Sequence, residues 1–427
     1  MRKSIIVRGP VFSVSGYGEQ TRFALRALRK RLDMFDIYLI PTSWGKTSWM
    51  SRINEEREWF DSMILKTAKY VDAGGAFDMS LQITIPNEWE KLAPINIGYT
   101  AGIETNMVAP EWIQKSKLMD KIIVVSEHSK QVYGGTVFEG KNEQNGEIHE
   151  LRCTTPIDVV SFGIREITPD ENFNLDLEYD FNYLVLSQWG PRKNIKKTVK
   201  WFLEECHDQE VGMILKLSVA NNSIPDRHIT NIKVNEIIQK FDLENPSMDR
   251  KCKIYVLHGD LKEEEIHALY KHPKIKALVT LTHGEGFGLP IFEAAYNNLP
   301  IIAPAWSGHL DYLYAPISGP GGGKKKIRPL FEAVDYNLQP IQKEAVWKGV
   351  LEENSMWCYP TAGSYKMKLR KVRNKYSAAL KISKVLSEHI RDNFSEEKMH
   401  EKFTDSIIDQ LENKVSPELD LGSVVVL

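Results

Sequence analysis

Short apolar runs alternate with amphipathic stretches along the chain, beginning close to the first residue. Residues 4–7 are predicted to form a buried strand, residues 9–18 a loop rich in glycine and serine, and residues from about 19 to 32 a basic helix. Three leucines recur on one side of that helix at helical spacing. The succession of strand, loop and helix is typical of the start of a parallel α/β unit.

The same alternation continues through most of the chain and falls into two series. In the first series, further strands are predicted at residues 35–40, 78–85, 95–99 and 121–125. In the second series they are predicted at residues 181–186, 213–219, 253–257, 277–281 and 300–302. This pattern indicates two α/β halves, each built around a parallel sheet.

The length of 427 residues supports two domains, because single cores rarely grow beyond roughly 250–300 residues. We place an N-terminal domain at residues 1–165 and a second domain at residues 181–390. The acidic, apolar-poor residues 166–180 between them are the linker candidate. Residues 391–427 are interpreted as a final helix and tail that cross back to the first domain.

Four further segments have distinct patterns. Residues 136–151 are polar and contain Asn145-Gly146, so they are interpreted as a surface excursion with a hairpin turn. Residues 315–329 are rich in glycine and proline and are predicted to be a loop. Residues 366–388 and 395–411 are predicted to be helical.

The composition is that of an ordinary globular protein, with 42% hydrophobic and 26% charged residues. The formal net charge of −2 gives no whole-molecule field that would indicate nucleic acid or membrane binding. Four widely separated cysteines form no CxxC pair and are interpreted as reduced thiols. The N-terminus lacks an apolar signal-peptide core. We therefore expect a cytoplasmic location, with a peripheral position at a membrane surface as the alternative.

The segment THGEGFGLPIFEAAYNNLPIIA at residues 282–303 is the most informative part of the chain. Gly286 and Gly288 are expected to let the backbone approach a ligand, and the amides at the start of the following helix favour a phosphate. Glu285 and Glu293 flank this turn, and a carboxylate can accept hydrogen bonds from the two hydroxyls of a vicinal diol. The pattern predicts a site for a sugar linked to a phosphate.

These residues resemble the Glu-x7-Glu motif of the family-four-type retaining glycosyltransferases, whose usual form is EGFGLPxLEAMAxGxPVIA. The resemblance implies the GT-B architecture, in which two Rossmann-like α/β domains have parallel sheets facing a central cleft. It implies that Glu285 contacts the transferred sugar and Glu293 the nucleotide ribose. The donor diphosphate is then bound by the amides of Gly286, Phe287, Gly288 and Leu289.

A second element of the family is an arginine followed five residues later by a lysine, which neutralise the leaving diphosphate. Lys193 matches the lysine, but Gln188 stands where the family has its arginine. Arg192, next to the lysine, is the candidate for replacing it. The resemblance therefore implies catalytic roles for Glu285, Lys193 and Arg192, with Gln188 beside the donor.

Other parts of the chain extend the resemblance. The loop Ser15-Gly16-Tyr17-Gly18 resembles the N-terminal glycine loop that faces the donor phosphates, so Gly16 and Gly18 are donor-binding candidates. Residues 99–106 lie where the family often lines the acceptor side, which makes Glu104 and Tyr99 candidate acceptor contacts. Neither His283 nor His309 has metal-ligand spacing with another histidine or acid. We therefore expect no catalytic metal and no cofactor beyond the nucleotide-sugar donor.

The sequence thus predicts transfer of a glycosyl group from a nucleoside diphosphate sugar to a hydroxyl acceptor, with retention as the resemblance implies. Two alternatives remain open. The first is another enzyme on the same architecture, such as a sugar-nucleotide epimerase. The second is a non-catalytic protein that binds a nucleotide sugar or a carbohydrate. The acceptor is a glycan, a lipid or a small molecule. Basic clusters at residues 366–384, 324–328 and 22–31 leave room for an anionic acceptor or, as a lesser alternative, a hydroxymethylated base in DNA.

Overall fold

The first half of the chain is built on a six-stranded sheet. The structure is a computed structural model, and it describes residues 2–141, 148–318 and 325–413. All the pairings in this sheet are parallel, and the strand order is β2-β1-β3-β4-β5-β8. Its strands are β1 (Lys3–Gly9), β2 (Phe35–Pro41), β3 (Met79–Gln82), β4 (Ile95–Thr100), β5 (Lys121–Val124) and β8 (Ile157–Val159).

Among the described residues, four α-helices and one antiparallel strand pair also belong to this half. The helices are α1 (Gly16–Arg29), α2 (Glu55–Asp72), α3 (Pro110–Ser116) and α4 (Glu127–Gly135). The polar segment predicted to be a surface excursion forms an antiparallel pair, β6 (Val137–Lys141) and β7 (Ile148–Arg152). Its proposed turn at Asn145-Gly146 lies outside the described residues.

The second half repeats the arrangement with a sheet of order β11-β10-β9-β12-β13-β16, again with parallel pairings throughout. The strands are β9 (Asn182–Gln188), β10 (Gly212–Ser218), β11 (Lys253–Leu257), β12 (Ile275–Val279), β13 (Ile301–Pro304) and β16 (Glu332–Val334). The helices up to the last of these strands are α5 (Ile195–Cys206), α6 (Ile224–Glu244), α7 (Glu263–Lys271), α8 (Leu289–Tyr296) and α9 (Leu310–Leu313).

In both sheets the strand order reverses beside the first strand, since β1 lies between β2 and β3, and β9 lies between β10 and β12. A crevice for ligands opens at the carboxyl ends of the strands at such a point. The interior strands are buried on both faces, as in β1, where Ile5, Ile6 and Val7 are at most 1% exposed. The predicted α/β class with two parallel sheets is confirmed.

Two antiparallel pairs and three long helices follow or interrupt the second sheet. The pairs are β14 (Tyr314–Ile317) with β15 (Lys326–Pro329) and β17 (Tyr336–Pro340) with β18 (Met356–Pro360). The helices are α10 (Ala362–Asn374), α11 (Tyr376–Asn393) and α12 (Glu396–Asn413). No helix within the described ranges is long and apolar enough to cross a membrane.

The chain leaves the first half near Ile164 and returns to it near Phe394, and these two passages lie side by side. Ile164 accepts a hydrogen bond from the backbone N–H of Glu396 at 3.2 Å and donates one to the carbonyl of Phe394 at 2.8 Å. Beyond this point α12 packs on α1, where the rings of Phe23 and Phe403 are 5.7 Å apart. The C-terminal helix therefore completes the core of the N-terminal half.

Several predicted boundaries were wrong for identifiable reasons. The first helix begins at Gly16 rather than near residue 19, because the Ser15 side chain caps it by accepting the N–H of Gly18. The loop predicted at 315–329 begins and ends in strands, whose prolines sit in a two-stranded ribbon. Residues 319–324 lie outside the described part. The helix predicted at 366–388 is divided at Lys375, whose φ of −127° is not helical.

Candidate functional site

The glycine-rich turn lies between β12 and α8, at the carboxyl edge of the second sheet. Gly288 precedes the helix with a φ of +88°, which suits glycine, and Pro290 occupies the first helical turn. The first-turn N–H groups of a helix lack intrahelical partners and attract anions. The sequence motif therefore forms the start of a helix at the carboxyl edge of the second sheet.

Gly284 and Gly286 are required by contact with the other half of the chain. A Cβ atom at position 286 would lie 1.8 Å from the carbonyl oxygen of Ala101, and one at position 284 would lie 2.3 Å from that of Glu104. The loop after β4 thus packs directly on the turn. Gly286 was expected to allow a ligand to approach, but in this structure it allows the two halves to approach each other.

Glu285 lies at the centre of a cluster of charges. Its carboxylate accepts a hydrogen bond from Arg192 Nη1 at 2.8 Å and another from Lys193 Nζ at 2.6 Å. Burial opposes ionisation of this carboxyl group, but the two cations outweigh it and hold the pKa of Glu285 well below its usual value. The three residues that the sequence predicted to be catalytic are brought together as a charged group.

Glu104 joins this cluster from the first half of the chain. Its Oε1 is 3.3 Å from Arg192 Nε, so the guanidinium lies between two carboxylates from different halves. Burial raises the pKa of Glu104, and the charge of Arg192 only partly offsets this effect. The pKa of Lys193 is lowered, chiefly by burial and then by its neighbour Arg192. The site therefore contains two acidic and two basic side chains, and each of them contacts at least one side chain of the other kind.

Glu293 lies on α8, where its carboxylate accepts a hydrogen bond from the Tyr270 hydroxyl at 3.0 Å. Burial raises the pKa of Glu293 to about 7, and the single hydroxyl donor does not compensate. The two glutamates of the motif thus have opposite electrostatic environments, because Glu285 contacts two cations and Glu293 contacts a neutral phenol. Tyr270 was not singled out in the sequence, since its position on α7 carries no motif.

The remaining donor-side candidates, Gln188, Gly18 and Gly16, differ in exposure. Gln188 is exposed at the end of β9, and its side-chain amide donates to the carbonyl of Val219 at 3.3 Å. Gly18 is buried, and a Cβ there would lie 1.9 Å from the carbonyl oxygen of Ser13. Gly16 is open, because nothing lies within 4 Å of the position a Cβ would take.

Tyr99 does not line the cleft. It is fully buried in the first half, where its ring is 5.2 Å from that of Phe403 on α12. The acceptor-side interpretation of Tyr99 is therefore wrong, because its strand position points into the core. Tyr17 contacts the end of β4, since its hydroxyl is 2.7 Å from Thr100 Oγ1 and accepts the N–H of Ala101 at 3.3 Å.

The fold resembles several solved glycosyltransferase structures over almost the whole chain. Sucrose-phosphate synthase from Thermosynechococcus elongatus is 12% identical with a TM-score of 0.60, covering 96% of this chain and 100% of that chain. Anabaena HepE, solved with UDP and glucose, is 11% identical with a TM-score of 0.58 over 95% and 100%. A UDP-forming trehalose-phosphate synthase from Burkholderia xenovorans is 11% identical with a TM-score of 0.56 over 96% and 99%. The chain has the GT-B fold.

No protein-family model matches the sequence. No curated protein matches it either. The GT-B fold is the one that the resemblance of the motif to family-four-type glycosyltransferases implies. The sequence identity to these three structures is 11–12%.

The segment between β16 and α10 links the two halves of the chain. The backbone of Met356 in β18 exchanges hydrogen bonds with Asn106, which donates its N–H at 2.9 Å and accepts through its side chain at 2.7 Å. Earlier in the same segment, the carbonyl of Gly349 accepts from the Asn87 side chain at 2.8 Å. This segment thus holds the loop that carries Glu104 against the second half.

His283 connects the segment between β16 and α10 to the charge cluster. Its Nδ1 is 2.6 Å from the carbonyl of Cys358, its ring stacks on Trp357, and its backbone N–H donates to the carbonyl of Arg192 at 2.8 Å. Burial lowers the pKa of His283 to about 4, so the ring is neutral near pH 7. In the sequence His283 is a single histidine in a loop. Only the aromatic residues of β18 could have indicated that it is buried.

About half of the basic residues noted at 22–31 and 366–384 are paired with acids. On α10, Lys366 and Arg370 pair with Glu204 and Glu205, while Lys368 and Lys371 both lie within 3.5 Å of Glu332. On α1, Arg26 contacts Glu19, Glu56 and Glu396. Lys324, in the basic loop, lies outside the described residues. These pairings account for much of both helical clusters without an anionic ligand.

Among the described residues, no group of three or more His, Cys, Asp or Glu is placed to hold a metal ion. The expectation of metal-independent chemistry stays a prediction. All four cysteines are free thiols, and three of them are buried.

Proposed function

We propose that this protein is a glycosyltransferase that moves a sugar from a nucleoside diphosphate sugar to a hydroxyl acceptor. The observation that carries the proposal is the contact of Glu285 with Arg192 and Lys193 at the start of α8. Two cations beside a helix start suit a diphosphate leaving group, and a carboxylate between them suits the hydroxyls of the attached sugar.

The donor is proposed to bind with its diphosphate on the amides of Gly286, Phe287, Gly288 and Leu289. Glu293 accepts the ribose hydroxyls, and Arg192 takes the role of the family arginine that Gln188 replaces. The direct contact of Arg192 with Glu285 supports this exchange, since a guanidinium there reaches the same carboxylate as Lys193. A diphosphate would compete with the carboxylates for both cations when it binds.

The reaction is proposed to proceed with retention and without a metal ion. As the donor bond breaks, negative charge develops on the leaving diphosphate, and the cations and helix amides stabilise it. The departing phosphate can accept the proton of the acceptor hydroxyl, so this scheme needs no protein base. Glu104, which approaches Arg192 from the other half, is proposed to lie on the acceptor side.

The donor test is a thermal-shift screen with UDP-, GDP- and ADP-sugars, beginning with UDP-glucose because the similar HepE structure contains UDP and glucose. A donor present at 100 times its dissociation constant stabilises the fold by about 2.7 kcal/mol. Glu293→Gln serves as the variant with a weakened site. A screen with no stabilising nucleotide sugar would contradict the proposal.

Turnover is then measured with the stabilising donor, radiolabelled in the sugar, and a panel of glycan, lipid and small-molecule acceptors. We expect label on an acceptor or slow donor hydrolysis, both lost in Glu285→Gln. Tight binding with neither product would favour a non-catalytic binding protein, and conversion of the donor to an isomeric sugar nucleotide would favour an epimerase. The anomeric configuration of the product, read by NMR, tests retention.

A further inference from the structure

The turn after β13 contains a serine in a backbone conformation that favours glycine. Ser307 has a φ of +81°, in the left-handed region where the Cβ of an L-residue is crowded. The residue is 3% exposed, so solvent does not compensate for the strain. Such strained positions persist where the surrounding structure gains from them, often next to a functional site.

The hydroxyl group of Ser307 makes a specific contact that glycine could not make. Its Oγ accepts the backbone N–H of Glu285 at 2.8 Å, and this hydrogen bond is buried. The next residue, Gly308, donates its own N–H to the carbonyl of Glu285 at 2.9 Å. A single turn therefore binds both polar groups of the Glu285 main chain.

The same turn packs too closely to be displaced. A Cβ at position 308 would lie 1.9 Å from the carbonyl oxygen of Gly286, so the two glycine-containing segments are in direct backbone contact. Farther along, the buried His309 ring is within 2.8 Å of the carbonyl of Pro304 through Nε2, which ties the turn to the end of β13. The turn is thus a fixed support for the residue that it contacts.

We propose that Ser307 is a positioning residue for Glu285. Its hydroxyl fixes the orientation of the Glu285 peptide, and this in turn fixes the carboxylate between Arg192 and Lys193 where it meets the transferred sugar. A functional carboxylate must be held within about 0.5 Å of its productive position, and supporting hydrogen bonds provide that precision. The role in turnover rests on the proposed function, whereas the contact with the Glu285 amide does not.

Two substitutions separate the hydroxyl group from the strain. Ser307→Gly removes both, whereas Ser307→Ala removes the hydroxyl and keeps the strained Cβ. We expect kcat to fall on the order of tenfold in both variants, which corresponds to loss of one hydrogen bond, with little change in the donor KM. We expect the thermal midpoint to rise or stay level in Ser307→Gly and to fall in Ser307→Ala.

Asn298→Gly is the matched control. Asn298 also has a positive φ, of 61°, but it follows α8 and its N–H donates to the carbonyl of Ala295 rather than contacting Glu285. Relief of strain there is expected to leave kcat unchanged. If Ser307→Gly also keeps the wild-type kcat, the hydroxyl has no positioning role and the inference is overturned.

A second measurement keeps the inference testable if no nucleotide sugar is turned over. Amide hydrogen exchange across residues 283–288 of the full-length protein is compared in the wild type and the three variants. We expect the Glu285 amide to exchange on the order of tenfold faster in both Ser307 variants and not in Asn298→Gly. Unchanged exchange would overturn the inference, while failure of every donor would contradict only the proposed function.

Discussion

Arg192 and Glu104 form an ion pair across the cleft, with 3.3 Å between Nε and Oε1, although they follow strands of different sheets. The same guanidinium donates to Glu285, so two carboxylates share one cation that is proposed to bind the donor diphosphate. The anion must therefore compete with side chains already in place. This competition gives a measurable prediction for each acid.

Glu104→Gln is expected to tighten the binding of free nucleoside diphosphate by about two- to fivefold. The reason is that Arg192 no longer shares its charge with Glu104, and a partly exposed ion pair contributes up to about 1 kcal/mol. Isothermal titration calorimetry measures the affinity. The control is Glu58→Gln, an exposed carboxylate on α2. Weaker binding in Glu104→Gln alone would mean that Glu104 supports the donor instead of competing with it.

Substitution of the two glutamates of the motif is expected to affect turnover and nucleotide affinity differently. Glu285→Gln should abolish most turnover while leaving nucleoside diphosphate affinity equal or higher, because Arg192 and Lys193 are then freed of a carboxylate. Glu293→Gln should weaken that affinity by about 1.5–3 kcal/mol, the value of a hydrogen bond to a charged group. Titration of both variants with the free nucleotide decides the matter, and equal losses of affinity would contradict the assignment.

Lys193→Ala is expected to reduce kcat by about 100-fold or more, as removal of one preorganised donor from a developing negative charge commonly does. Activity of the wild type is expected to survive treatment with a chelator, because cations and helix amides are proposed to serve in place of a metal. Lys196→Ala, an exposed lysine on α5, is the control for general loss of charge. Turnover that stops in chelator and returns with magnesium or manganese would refute metal independence.

Stability should depend on pH through Glu293, whose pKa is raised to about 7 by burial. The unfolded pKa is about 4.3, so the folded state keeps a proton that the unfolded state releases between these values. The contribution is fully present below the unfolded pKa and is lost as pH rises through about 7. The thermal midpoint of the wild type relative to Glu293→Gln should therefore fall between about pH 4 and about pH 7 and level off above that. A constant difference would show that Glu293 titrates normally.

The acid pairing of the basic helices leads us to expect no specific duplex DNA binding. Anisotropy titrations at about 50 mM and 150 mM salt test this, together with sugar transfer onto hydroxymethylcytosine DNA. A protein that neutralises phosphates would lose affinity with a log-log slope near −0.9 per contact. A steep dependence of affinity on salt together with sugar transfer would favour DNA as the acceptor over a glycan, lipid or small molecule.

The sequence predicted the fold class well because both sheets are parallel and buried. Strands such as β1 then appear in the sequence as continuous apolar runs. The glycines between them mark the turns. The same local signals could not predict that α1 begins at Gly16, since glycines favour a loop by propensity and the Ser15 cap overrides this preference. Tyr99 was misplaced because alternation along a strand does not identify which face meets a distant helix such as α12.

The candidate site was predictable only where a motif spans neighbouring residues. Glu285 and Glu293 belong to one continuous segment, whereas the pairing of Arg192 with Glu104 joins positions far apart in the chain. Ser307 was invisible for a different reason. A serine in a loop is ordinary by composition, and only its backbone angle reveals that it occupies a position suited to glycine.

The crossing at Ile164 has a consequence for synthesis on the ribosome. The N-terminal half is made first, yet α12, which packs on Phe23 of α1, is made only after the whole second half. At rates of about 5–20 residues per second, the apolar surface of α1 waits on the order of tens of seconds for its partner. During that interval the nascent chain exposes an incomplete core, so the first domain to emerge is the last to be finished.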